Sequence, residues 1–222
     1  MKPDMTILKQ CALFQGMNDT DITGMLSCLG AVIRSYSKGQ LILSEGDPAT
    51  HIGIVLSGSV QIMREDYYGN RSLVGIARPS QLFGEAFSCA GITSLPVNIL
   101  SLKDSTIMLL DCNHILTFCS NACEFHNRLV RNLLHIVAEK SLTLHQKLDI
   151  TSKRSTKEKL MAFLLLQAKE HGSAEFTIPF DRQQLADYLG VERSAMSAEL
   201  GKLIKEGYIE SKKNRFKLLK AL

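Results

Sequence analysis

Along residues 31–110, apolar and polar positions alternate in short runs: VIRSYSKG, QLILSEGDP, HIGIVLSG, SVQIMRED, YYGNRSLVGIA and STIMLLD. A period of two sends successive side chains to opposite faces of a strand, so each run reads as a β-strand with one buried face. Turn chemistry separates them at Lys38-Gly39, Glu45-Gly46-Asp47-Pro48, Ser57-Gly58, Tyr68-Gly69-Asn70 and Arg78-Pro79. Many short strands at this spacing predict a closed or double-sheet antiparallel structure, which we read as a jelly roll. A short helix over 19–29 is expected to pack beside it.

Beyond residue 111 the period lengthens. Residues 121–148 contain no proline or glycine, and Phe125, Leu129, Leu133, Ile136 and Val137 recur on one helical face, with Val130, Leu134 and Leu144 widening it. A helix of about 28 residues is about 40 Å long, too long to bury its stripe against one small β domain. A second copy of the same helix in a parallel homodimer would cover it and would supply the symmetry that paired DNA half-sites need. The polar segment DITSKRSTKE reads as a hinge into a second domain. There, residues 157–170 form a helix with Leu160, Phe163, Leu164 and Ala168 inward.

Residues 181–207, DRQQLADYLGVERSAMSAELGKLIKEG, carry two short apolar stripes. Leu185, Tyr188 and Leu189 mark one helix, Gly190 breaks it, and Met196, Leu200, Leu203 and Ile204 mark the next. A helical hairpin would show the same stripes. The small Ala186 at the crossing, with Gly190 four residues on at the turn, points instead to a helix-turn-helix, whose second helix enters a DNA major groove. Arg193, Ser194 and Ser197 project from the start of that helix, and Arg182 and Gln183 from the start of the first. YIESKKNRFKLL reads as two strands around Lys213-Asn214, a wing from which Ser211, Lys212 and Lys213 approach phosphates.

Composition fits this division. The chain has 222 residues, 45% hydrophobic and 22% charged, which is ordinary for globular domains. Residues 1–148 hold 12 Lys+Arg against 12 Asp+Glu, whereas residues 149–222 hold 14 against 10, so the whole excess of +4 sits beside the reader. No apolar run is long enough to span a bilayer, and the N-terminus does not read as a signal peptide. We therefore expect a cytoplasmic protein with no membrane partner, whose six cysteines, at 11, 28, 89, 112, 119 and 123, are free thiols.

In this order of parts the chain resembles the Crp/Fnr family of bacterial transcription regulators over nearly its whole length. The likeness rests on KGQLILSEGDP, IGIVLSGSVQI, FGEAF at 83–87, the long helix ending near AEKSLTL, and the reader itself. It implies an α+β fold: an N-terminal β jelly-roll of cyclic-nucleotide-binding type over 1–118, a long dimerisation helix over 119–148, and a C-terminal winged helix-turn-helix over 149–222.

The departures from the family pattern narrow what the resemblance implies. Cyclic-AMP-responsive members follow the Gly-Glu turn with an Arg-Ser pair whose guanidinium neutralises the phosphate. Here Gly84 and Glu85 remain, but Leu95 and Pro96 stand in place of that pair. A charge-assisted hydrogen bond worth about 1.5–3 kcal/mol is then missing. The adenine-reading hydroxyl pair is replaced by Val137 and Ala138. Cyclic AMP is disfavoured as the effector, and an iron–sulfur cluster is disfavoured because the N-terminus offers only Cys11 and Cys28. The remaining expectation is an apolar effector pocket formed by Phe83, Gly84, Glu85, Ala86, Phe87, Leu95, Pro96, Val97 and Val137, for an unknown small molecule; the same turn could be purely structural. On the reader helix, Ser194 and Ala198 replace the Glu and Arg of the best-known members, so their operators do not transfer.

Cys119, Cys123 and His126 fall at i, i+4 and i+7 of one helical face, a spacing that suits a metal, a thiol redox sensor or simply small packed residues. We expect a homodimeric, effector-responsive regulator that binds double-stranded DNA with paired half-sites, with RNA polymerase as a further partner. No nucleophile–base constellation suggests an enzyme. Two other readings stay open: a redox or metal switch through Cys119 and Cys123, and a scaffold whose helical tail binds protein.

Overall fold

The computed structural model describes residues 4–65, 67–68, 71–117 and 124–220. Two compact units divide the chain, Met1–Glu139 and Lys140–Leu222.

Among the described residues the first unit has ten elements before the long helix, besides a short 3-10 turn at Ala12–Phe14. Helices α1 (Met5–Gln10) and α2 (Asp19–Cys28) precede strands β1 (Val32–Tyr36), β2 (Leu41–Leu43), β3 (His51–Glu65), β4 (Arg71–Ala77) and β5 (Leu82–Phe83). Helix α3 (Glu85–Cys89), strand β6 (Asn98–Asp111) and helix α4 (Cys112–Leu116) follow. All pairings are antiparallel: β6 joins β1 along one part of its length and β2 along another, while β3 pairs β6 throughout and adds β5 near its start and β4 near its end. Two long strands that exchange partners in this way turn the corner between layers.

The turn expected at Ser57-Gly58 is instead a bend within one 15-residue strand. Gly58 takes φ 87°, and the β3–β6 register shifts between Val55 and Ser57 and again up to Val60. A Cβ at Gly58 would collide with the Ser105 hydroxyl and the Asp104 carbonyl, so glycine is required by the close crossing of β6. The local signal of a glycine with a polar neighbour is the same for a bulge as for a hairpin.

The continuous apolar stretch in β6 has a simple cause. Ile107 and Leu109 face a core with Tyr36, Val55, Val60, Phe83, Val97 and Ile99. Met108 and Leu110 face a second core on the other side, made with α1, α2 and the first part of the long helix. A strand covered on both faces has no polar side to show.

Helix α5 (Glu124–Thr151) runs 28 residues. Leu129, Leu133 and Ile136 are buried in the first unit's core, where Val130 and Val137 pack at the edge. Phe125, expected on the same inward face, is 37% exposed. The helix continues three residues past the boundary expected at 148, into the assumed hinge, because Ile150 is buried in the second unit's core.

The second unit comprises α6 (Thr156–His171), β7 (Glu175–Thr177), α7 (Arg182–Leu189), α8 (Arg193–Lys205), β8 (Ile209–Lys212) and β9 (Arg215–Leu218). Helix α6 starts on a capping box, in which the Ser155 hydroxyl accepts from Glu158 N at 3.2 Å and the Glu158 carboxylate accepts from Ser155 N at 3.0 Å. It ends on Gly172 at φ 60°. Strands β7, β9 and β8 form an antiparallel sheet in that order, and Phe176 stacks on Phe216 with ring centroids 6.2 Å apart. Among the described residues no helix is long and apolar enough to cross a membrane.

Gly53 marks a tight contact in the jelly roll, since a Cβ there would overlap the Phe83 ring. Gly53→Ala is expected to destabilise the first unit by about 1–3 kcal/mol through overpacking, read as a lower denaturant midpoint with an unchanged slope.

Candidate nucleic-acid interface

Asp181 starts α7 by a second capping box: its carboxylate accepts from Gln184 N at 2.8 Å, and Gln184 Oε1 accepts from Asp181 N at 3.0 Å. Gly190 ends the helix at φ 63°, ψ 50°, a left-handed conformation that glycine adopts without Cβ strain. Val191 N then donates back to the Ala186 carbonyl at 3.1 Å. Leu185, Ala186 and Leu189 of α7 are buried with Met196, Leu200 and Leu203 of α8, which fixes the helix pair. Ile204, expected in that stripe, is 42% exposed, because one residue past Leu203 rotates away from the core.

The outward side of α8 carries Arg193, Ser194, Ser197, Ala198 and Gly201, all exposed. Ser194, Ser197, Ala198 and Gly201 follow the i, i+3, i+4, i+7 rule of one helical face. Apart from its chain neighbours and the nearby backbone of its own helix, no described protein atom lies within 4 Å of a Cβ built at Gly201, so packing against the rest of the chain does not account for a residue that costs a helix interior about 1 kcal/mol relative to alanine. A strip of small side chains lets a helix backbone come close to whatever it docks against. Gly201 escaped the sequence reading because a glycine inside a helical pattern registers only as a weak point. Glu199, partly buried, pairs with Lys202 at 2.5 Å and offsets that cation.

Arg182, expected to project from the start of α7, packs on the wing. It is half-buried, its Nη2 donates to Ser211 Oγ at 2.7 Å, and its guanidinium lies 5.1 Å from the centre of the Phe216 ring. Burial lowers its pKa below the ordinary arginine value. These contacts tie the start of α7 to the wing. Gln183 is exposed but its amide donates to Asp187 Oδ1 at 2.8 Å. Lys212 and Lys213 are exposed, and Lys213 holds the wing turn at φ 54°. Between wing and α7 lies an open concavity of about 560 Å³ lined by Pro179, Phe180, Asp181, Arg182, Gln184, Lys213 and Asn214.

The candidate effector residues divide between two places. Phe83 and Val97 are buried in the inner core of the jelly roll with Phe87 against it, whereas Val137 packs on the other core with α1 and α2. These two cores contain alternate residues of β6, Met108 and Leu110 in one and Ile107 and Leu109 in the other. Gly84 caps α3 at φ 82°, with Ser88 N donating to its carbonyl at 3.0 Å. Glu85 is buried, Ala86 exposed, and Pro96 half-buried. Leu95 is 2% exposed and exchanges backbone hydrogen bonds with Gly46 and Asp47. A separate cavity of about 190 Å³ is lined by Leu41, Gln61, Met63, Glu65, Asn98 and Leu100.

Cys119 and Cys123 lie outside the described residues. His126 is buried, and its Nε2 donates to the Ile115 carbonyl at 2.8 Å. Among the described residues no three His, Cys, Asp or Glu side chains are grouped to hold a metal ion. Cys11 is buried, and desolvation pushes its thiol pKa up to about 11.

Comparison with known proteins matches residues 33–122 to the cyclic nucleotide-binding domain model and residues 158–221 to the Crp-like helix-turn-helix domain model, together more than half of the chain. The chain is 24% identical over 207 residues to a CRP-like cAMP-activated global transcriptional regulator of Mycobacterium tuberculosis, covering 91% of this chain and 90% of that protein. It is 26% identical over 186 residues to the nitrogen fixation regulation protein FixK of Bradyrhizobium diazoefficiens, covering 78% and 72%. The solved structure of the c-di-GMP responsive global regulator CLP from Xanthomonas campestris shares the fold at a TM-score of 0.60 and 18% identity, over 92% of this chain and all of that one. FixK2 from Bradyrhizobium japonicum shares it at a TM-score of 0.52 and 20% identity, over 86% and 93%. With a nucleotide-binding-type β domain ahead of a Crp-like reader, and regulators of this kind aligned along most of its length, the chain belongs to the Crp/Fnr family of DNA-binding transcription regulators.

Proposed function

We propose that the protein acts as a homodimer that binds paired DNA half-sites and changes its DNA affinity when a small-molecule effector binds the jelly-roll unit. The observation that carries the dimer is a seam on α5. Val130, Leu134, Val137, Ser141, Leu144 and Leu148 succeed one another at alternating spacings of four and three, the a/d repeat of a parallel two-stranded coiled coil. Val130 and Val137 sit at the margin of the first core, while Leu134, Leu144 and Leu148 are 68%, 60% and 53% exposed. Each leucine would contribute about 1.5–3 kcal/mol on full burial. A second copy of α5 covers all three at once and gives the two readers the symmetry of a palindromic site.

The effector is a small molecule other than cyclic AMP. Leu95 and Pro96 offer no cation to a cyclic phosphate, and Leu95 is buried. Effector binding acts by shifting the population between DNA-competent and incompetent dimers. In the complex α8 enters the major groove, Arg193 pairs with a guanine edge or a phosphate, and the exposed Ser194, Ser197, Ala198 and Gly201 set a close approach. Lys212 and Lys213 contact phosphates from the wing, and Arg182 positions that wing. RNA polymerase is the onward partner at a promoter.

Two outcomes check this reading. The double variant Leu134→Glu, Leu144→Glu is expected to sediment as a monomer with its helix content retained, and to lose binding to a two-half-site duplex; a dimer of undiminished affinity would contradict the seam. Arg193→Ala is expected to weaken operator binding by about 1–3 kcal/mol and to relax preference at one base pair. Unchanged affinity and preference in a titration would remove Arg193 from the contact set.

A further inference from the structure

The sulfurs of Cys89 and Cys112 lie 3.9 Å apart, although 23 residues separate them and they belong to different elements. Cys89 is the last residue of α3 and Cys112 the first of α4. Both helices are fastened to consecutive residues where β3 begins, Thr50 just before the strand and His51 its first residue. The Ser88 hydroxyl donates to the His51 carbonyl at 2.9 Å, and Cys112 N donates to the Thr50 carbonyl at 2.8 Å. The thiols are therefore held close by the scaffold rather than by a chance rotamer. Their surroundings differ: Cys89 is partly exposed, whereas Cys112 is buried among the apolar side chains of the first core.

We propose that Cys89 and Cys112 form a peroxide-reactive dithiol that closes to a disulfide and tethers α3, with its Gly84–Glu85 turn, to α4. The hydrogen bond between the two thiols lowers the pKa of Cys89 and raises that of Cys112, and burial of Cys112 adds to the difference. Cys89 is thus the attacking thiolate and Cys112 the resolving thiol. In the first step a lone pair of the Cys89 sulfur attacks one oxygen of hydrogen peroxide and breaks the O–O bond. The departing hydroxide takes a proton and leaves as water, and Cys89 becomes a sulfenic acid. In the second step the Cys112 sulfur attacks the sulfenic sulfur and forms the S–S bond. The expelled hydroxide takes the Cys112 proton and leaves as a second water. Two thiols lose two electrons in all, and one peroxide becomes two waters. Closure needs the sulfurs to approach from 3.9 Å to about 2.05 Å.

This assignment is independent of the effector reading and of Cys119 and Cys123. The reduced full-length chain is treated with hydrogen peroxide, alkylated under denaturing conditions and mapped by peptide mass. Two of its six thiols are expected to become unreactive, with a peptide linking Cys89 to Cys112 that dithiothreitol releases. In Cys89→Ser the link disappears and Cys112 stays alkylatable, and in the Cys119→Ser, Cys123→Ser double variant the link persists. Cys89→Ser replaces a partly exposed side chain, so the test does not depend on a substitution in the core. Both thiols remaining alkylatable, Cys89 proceeding to sulfinic acid beside a free Cys112, or the two lost thiols mapping to Cys119 and Cys123 would overturn it.

Discussion

An unbroken helix that takes part in two hydrophobic cores is the constraint from which the rest follows. Helix α5 gives Leu129, Leu133 and Ile136 to the first unit and Ile150 to the second. With 3.6 residues per turn, those burials fix which residues remain outside. Leu134, Leu144 and Leu148 are left over as an apolar line that a single chain does not cover. The sequence tolerates that line because, in the proposed dimer, a second copy buries it.

The reader unit obeys a similar division between what is fixed and what is offered. Leu185, Ala186 and Leu189 lock α7 against Met196, Leu200 and Leu203 of α8, and the Gly190 turn sets the angle between them. Arg182 spends its charge on Ser211 and Phe216 and so couples α7 to the wing. The outward face of α8 offers Arg193 and a row of small residues. Such a surface relies on close backbone approach and shape as much as on long side chains reaching base edges.

The period-two runs of the jelly roll, the long helix and the helix-turn-helix with its wing were legible in the residues, because hydrophobic periodicity and turn chemistry are local. What escaped was set by contacts between distant segments. Gly58 reads as a turn until β6 crosses it, where Ser105 makes glycine obligatory. Val137 reads as part of an effector pocket until the sheet is seen to separate it from Phe83. Arg182 reads as a residue projecting from the start of α7, and its contacts to Phe216 and Ser211 come from strands about 30 residues away that the local pattern does not show. Cys89 and Cys112 give no sign of each other across 23 residues, whereas Cys119 and Cys123 drew notice only through their spacing on a presumed helix.

The central claim is that two readers, paired through α5, recognise two related half-sites. Selection of duplexes from a randomised pool by the full-length chain tests it most directly. The account predicts enriched sequences with dyad symmetry and half-site centres one helical turn apart, about 10–10.5 base pairs, or a multiple of it. Enrichment of a single unrepeated element, or of no sequence at all, would contradict it.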